Sequence, residues 1–199
     1  MPGIVLASSS PYRQALLHRL GLRFAVAVPA IDETRRDGES AHALVSRLAE
    51  AKARAVATVH PDSVIIGSDQ AALLDQTILG KPGSEEKALA QLRAASGRRV
   101  KFLTGLCVYD GGRGEVQIDV VPYTVVFRAL TEAEIAAYVA RERPLDCAGS
   151  FKSEGLGVAL FERMEGPDPS ALIGLPLIRL TQMLRHCGIN VLLPADSST

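Results

Sequence analysis

Apolar runs bounded by turn signals alternate along the 199-residue chain with stretches whose apolar positions recur every three or four residues. "GIVLA" at residues 3–7 predicts a buried strand, and Ser10 and Pro11 open a helix over residues 11–20 that Gly21 closes. "FAVAVPA" predicts a second strand, and residues 41–58 carry the longest helical pattern. "SVIIGSDQ" predicts an apolar strand running into a polar turn, with a hairpin through "LLDQTIL" behind it. Ser84 caps a helix reaching about Ala95, with Glu85 and Glu86 in the first turn and Gly97 as its stop. Residues 99–109 and 115–128 predict two long strands across the turn "DGGRGE". Thr131 and Glu134 have capping-box spacing for a helix over residues 132–142. "GVALFE" predicts a last strand, and Pro176 begins a helix through about His186.

Hairpins mixed with helical crossovers imply an α/β fold with a mixed β-sheet flanked by helices, and such sheets place their clefts at strand ends. No repeat or linker interrupts residues 1–193, which read as one domain ahead of the polar tail "PADSST", residues 194–199. The 22 basic and 22 acidic side chains cancel, which argues against duplex nucleic acid or a membrane surface as partner. Any anion must then be met locally. No apolar run is long enough to span a bilayer, and the first residues lack the pattern of a signal peptide, so a soluble, cytoplasmic protein is expected. Cys107, Cys147 and Cys187 lack CxxC spacing and read as small core residues. The four histidines are scattered singly, which leaves carboxylates, lysines and arginines to carry any chemistry. No GxxxxGK[ST] is present and no GxGxxG follows a strand.

Three residues sit badly in a purely structural account. With Ser10 as cap, Arg13 falls in the first helical turn, where the macrodipole disfavours a cation. Arg13 is either a solvated arginine or, with Ser8, Ser10 and the free amides of the helix start, part of a cradle for an anion. Lys52 interrupts the apolar row Leu44, Leu48, Val56; it either snorkels to the surface or points into a cleft. The chain has only five lysines against 17 arginines. Asp69 follows "VIIGS" where a strand is expected to end, placed either for an Asx turn or to hold a cation or activate water. Glu33 in "IDETRR" and Lys81 in "LGKPGS" add a carboxylate and a cation in loops.

In this order "SSSPYR", "DET", "AEAKA", "IIGSDQ", "LGKP", "ASGRRVKFLTG" and "AGSFKSEG" resemble the motifs of the Maf-type nucleotide pyrophosphatases, over roughly residues 3–187. The resemblance implies a fold similar to that of the inosine triphosphate pyrophosphatases, with two lobes around a central cleft. It also implies hydrolysis of a nucleoside triphosphate to monophosphate and pyrophosphate with a divalent metal, Mg2+ or Mn2+. Ser8, Ser10 and Arg13 match the family's S-x-S-x-x-R for phosphate, with Lys52 and Lys81 as further phosphate cations. Asp69 matches its proposed general base and Glu33 its acidic loop, and Glu33 or Asp69 is expected to hold the metal together with the triphosphate. Tyr12, Gln70 and Glu154 depart from the commonest family pattern and resemble the branch acting on 7-methyl-GTP, not the branch for dTTP and UTP. N7 methylation makes guanine cationic, which suits a tyrosine face and a carboxylate. The expected partner is therefore a small-molecule nucleotide, with a homodimer left open. Rival expectations are a dTTP/UTP enzyme and a non-catalytic nucleotide-binding regulator of septum formation.

Overall fold

A computed structural model describes residues 2–193. Its elements are β1 (Ile4–Ala7), α1 (Pro11–His18), β2 (Ala25–Ala27), α2 (Ala41–Ala57), β3 (Val64–Leu74), β4 (Thr77–Leu79), α3 (Glu85–Ala95), β5 (Arg99–Asp110), β6 (Glu115–Phe127), α4 (Glu132–Glu142), β7 (Phe161–Glu165), α5 (Pro169–Ile173) and α6 (Leu177–His186). The strands form a seven-stranded sheet in the order β2-β1-β3-β5-β6-β7, with β4 paired to β3. β1 runs parallel to β2 and β3, and the remaining pairs are antiparallel. The sheet is thus mixed, as the alternation of hairpins and crossovers implies. The polar tail lies outside the described residues, and among those described no helix is long and apolar enough to cross a membrane.

Side-chain alternation divides the first half of the sheet between two faces. Ile4, Leu6, Val64, Ile66, Leu106 and Val108 pack under α6 with Leu180, Met183 and Leu184. Val5, Ala7, Ile65 and Cys107 face the other way, onto Ala49, Ala53 and Val56 of α2. The far halves of β3, β5 and β6 belong to a separate core, where Ala72, Leu74, Val100, Phe102, Val125 and Phe127 meet α3 and α4. Phe102, Phe127, Phe151 and Phe161 fill it edge to face, with ring centroids 4.9 to 5.7 Å apart. β3 therefore runs through two cores, and residues 67–71 cross the seam between them.

That continuity corrects one expectation. Ser68, Asp69 and Gln70 are not a turn after a short strand: β3 continues to Leu74, with Asp69 opposite Gly105 on β5. The Asx-turn account of Asp69 falls with it, because ladder pairing on both sides of the residue holds the backbone extended. "GVALFE" is likewise not one strand; Leu156–Leu160 form a 3-10 turn before β7 begins at Phe161. β2 is only three residues long. α5 is additional to the expected elements, although Asp168 as cap, Pro169 at the first position and Gly174 in the left-handed region are ordinary helix punctuation.

Helix α2 lies unusually close to the sheet. A Cβ on Gly67 would stand 2.1 Å from the Ala49 carbonyl oxygen, and one on Gly105 would stand 2.2 Å from that of Val45. Only hydrogen fits at these two crossings. Gly67→Ala is expected to lower stability by about 1–3 kcal/mol through overpacking, measured as a lower urea midpoint at unchanged m-value.

Candidate active site

A cleft of about 550 Å3 opens over the seam, a size suited to a small-molecule ligand. Ser8, Ser10, Tyr12, Arg13, Glu33, Lys52, Asp69, Gln70, Lys81 and Glu154 all line it. Residues spread over nearly 150 positions of sequence are thus brought together on one surface.

The floor at the N-terminus of α1 is built from short-range contacts. Ser10 caps the helix, its hydroxyl accepting from Arg13 N at 3.4 Å, and the buried Ser8 hydroxyl accepts from Ser10 N at 3.1 Å. Arg13 does not extend into solvent: its Nε donates to the Gly174 carbonyl at 2.9 Å and Nη1 reaches Ser8 Oγ at 3.4 Å. Burial lowers the guanidinium from its ordinary pKa, opposed by the nearby charges of Asp69 and Glu33. Arg13 is only partly withdrawn from water, but a cation at a helix N-terminus faces an unfavourable dipole that a bound anion would relieve.

Lys52 is 6% exposed, so it does not snorkel. From the fourth turn of α2 its Nζ reaches Asp69 Oδ1 at 2.6 Å and Glu33 Oε1 at 3.1 Å. Asp69 is itself buried, whereas the Glu33 side chain stays 58% exposed. One ammonium thus gathers a carboxylate from the central strand and one from the β2–α2 loop. That loop is tied to α2 by Arg47, which donates to both oxygens of Glu39 at 2.6 and 2.8 Å and to Thr34 O at 3.1 Å. The Arg47 hydrogen bonds hold the Glu39 carboxyl down to about 2.

The other wall carries Tyr12, Asp146, Cys147 and Glu154. Burial is the leading cause that pushes the Tyr12 hydroxyl up to about 12, with Cys147, Asp146 and Glu154 adding to it. Neither Asp146 nor Glu154 is ion-paired among the described residues, so this wall is a patch of uncompensated negative charge. The segment bearing Glu154 is braced from below. Lys152 N donates to the Tyr138 hydroxyl at 3.0 Å, Lys152 Nζ to Glu142 O at 3.0 Å, and Leu156 N to Glu142 Oε1 at 3.4 Å. Upstream, Gly149 and Ser150 both take positive φ, a turn held by the Ser150 hydroxyl on Gln91 Oε1. Cys107 and Cys187 are buried core residues, but Cys147 is half-buried and lines the cleft, which corrects the expectation of three core thiols.

Gln70 reaches across the seam. Its Nε2 lies 2.8 Å from Ala171 O, 3.0 Å from Leu172 O and 3.0 Å from Thr104 Oγ1. Ser68, Thr104, Asp146 and Gly174 belong to the site or its support and stand outside the residues marked by the sequence. Asp146 carried no anomaly of spacing, and the others are joined by contacts across 67 to 161 residues.

Sheet, flanking helices and seam cleft define a mixed α/β protein of the Ham1 type. Ham1 proteins of Staphylococcus aureus and Coxiella burnetii superpose with TM-scores of 0.50 and 0.52, each at 16% identity, over 94% of this chain and all of theirs. The chain belongs to the Maf family, whose profile, described as Maf-like protein, matches residues 3–187. It is 60% identical over 188 residues, 94% of both chains, to a protein of Alkalilimnicola ehrlichii named 7-methyl-GTP pyrophosphatase. It is 56% identical over 191 residues, 96% of both chains, to one of Nitrosococcus oceani with the same name.

Lys52→Met strips the buried Asp69 carboxylate of its cation and should cost about 3–5 kcal/mol. Combining it with Asp69→Asn should recover part of that loss, because a neutral amide is cheaper to bury. Chemical denaturation of the two single variants and the double variant measures both effects.

Proposed function

We propose that this protein hydrolyses 7-methyl-GTP to 7-methyl-GMP and diphosphate, clearing modified nucleotides in a cytoplasmic setting. The observation that carries the reading is one cleft that combines phosphate-type cations, a buried aspartate and an anionic wall. It stands in a chain 60% identical to a 7-methyl-GTP pyrophosphatase.

In this reading Ser8, Ser10 and the first-turn amides of α1 receive phosphate oxygens, and Arg13, Lys52 and Lys81 neutralise them. Asp69 orients and deprotonates the water whose oxygen bonds to the α-phosphorus; the bond from that phosphorus to the bridging oxygen breaks, and diphosphate leaves. Phosphoryl transfer of this kind depends mainly on positioning and charge neutralisation. Glu33 and Asp69 suit a divalent cation such as Mg2+ or Mn2+. Their oxygens already converge on one ammonium, and among the described residues no group of three or more His, Cys, Asp or Glu side chains forms a full cage. Such a cation would complete its shell with phosphate oxygens and water, as Mg2+ ordinarily does, and would supply further neutralisation of the triphosphate.

Tyr12 and Glu154 account for the base. The aromatic face can stack on a cationic ring for about 0.5–2 kcal/mol. The Glu154 carboxylate can accept from N1 and N2 of guanine, donors that uracil does not offer in the same arrangement. The negative charge of Asp146 on the same wall adds to the preference for a cation.

In a nucleotide panel with diphosphate readout, Asp69→Asn should lower kcat by about 10²–10⁴-fold while nucleotide affinity stays within a few-fold. Full turnover in that variant would remove Asp69 as the base, whereas nucleotide binding without diphosphate release by the unmutated protein would favour a regulator that binds without hydrolysing. Glu154→Gln should reduce the kcat/KM preference for 7-methyl-GTP over UTP by about threefold to tenfold, in line with the roughly 0.5–1.5 kcal/mol net of a hydrogen bond made by a side chain exposed in the free protein. An unchanged ratio removes Glu154 from base recognition.

A further inference from the structure

Behind the cleft wall three polar side chains of the sheet converge on the end of α5. The Ser68 hydroxyl donates to Gly174 O at 2.8 Å, and Thr104 Oγ1 donates to Ala171 O at 2.8 Å. Gln70 Nε2 adds its contacts to Ala171 O and Leu172 O. Ser68 and Thr104 are both 0% exposed, and neither lines the cleft. Polar groups in such places need a reason, since an apolar residue would be cheaper to bury. Their acceptors are carbonyls at and just beyond the C-terminal end of α5, of which Ala171 O also accepts from Gly174 N at 3.1 Å.

The Gly174 carbonyl is the junction. It accepts from Ser68 on one side and from Arg13 Nε on the other, which uses both of its lone pairs. With Nε fixed there, the guanidinium plane is fixed, and Nη2 has no hydrogen-bond partner among the described residues. The backbone at Gly174 has φ +119, a conformation side-chain-bearing residues rarely adopt, and a Cβ there would stand 3.4 Å from Arg13 Nε. The turn is therefore shaped to present its oxygen to the arginine.

We propose that Ser68 and Thr104 are positioning residues that aim the Arg13 guanidinium at the phosphates through the α5–Gly174 turn, Ser68 directly and Thr104 one link removed. The inference rests on the reading of Arg13 as a phosphate ligand. Register explains how the device is built: Thr104 pairs with Gln70, and Ser68 lies two residues before it on the same strand, so the three polar groups sit side by side on the seam. Leu172 and Ile173, which line the cleft, are carried by the same turn.

A double-mutant cycle separates aiming from plain stabilisation. Ser68→Ala should lower kcat/KM for 7-methyl-GTP about tenfold in the wild-type background, mostly through KM, and less than twofold in an Arg13→Ala background. Thr104→Val should lose about threefold, with the same disappearance when Arg13 is absent. Ser68→Thr, which keeps the hydroxyl, should restore most of the activity lost by Ser68→Ala. Equal losses in both backgrounds would overturn the proposal, because a general loosening of the fold does not depend on Arg13. The same cycle is run on Kd for inorganic tripolyphosphate. A protein that binds tripolyphosphate yet hydrolyses no nucleotide would refute the proposed function alone, and the cycle in Kd would still support or overturn the role of Ser68 and Thr104.

Discussion

The contact on which the molecule turns is that of Lys52 with Asp69, and it exists because α2 can lie almost directly on the sheet. Gly67 and Gly105 remove the side chains that would hold the helix off. The lysine then needs no extended reach to deliver a charge into the seam. Desolvating an ammonium and a carboxylate together is tolerable only with close contact, and the 2.6 Å separation provides it. Close packing and buried charge are thus one constraint: a looser helix would leave Asp69 unpartnered inside the sheet.

The seam itself follows from strand length. An 11-residue strand is long enough to serve two cores on one face, the first around Val64 and Ile66 and the second around Ala72 and Leu74. Ser68 and Gln70 lie between them on that face, bracing α5 and, for Gln70, reaching Thr104 as well, while Asp69 on the opposite face meets Lys52. The cleft is therefore not carved into a finished fold but is the place where two packed units share a backbone.

This explains what was legible in the sequence. Arg13 and Lys52 stood out because each breaks a local rule, a cation in a first helical turn and a charge on an apolar row, and local rules can be read from spacing alone. The position of Asp69 was legible but its conformation was not. Three polar residues after an apolar run look like a turn unless the second core, supplied by Phe102, Phe127 and Phe151, is already in view. Ser68, Thr104 and Gly174 looked ordinary for a related reason. Their meaning lies in pairings with residues far along the chain, and no periodicity of 2 or 3.6 records such a pairing. α5 was missed although its Asp-Pro start and glycine stop are local signals, because five residues give too short a window for apolar periodicity to register.

The half-buried Cys147 places a sulfur in a cleft crowded with reactive groups, and its surroundings decide how that sulfur behaves. Burial, with the Asp146 carboxylate beside it, pushes the thiol up to about 12. At neutral pH that disfavours the thiolate, the form that attacks electrophiles and oxidants. Burial, more than the carboxylates of the same wall, therefore keeps the sulfur protonated. A wall that withdraws a thiol from water thus also lowers its reactivity.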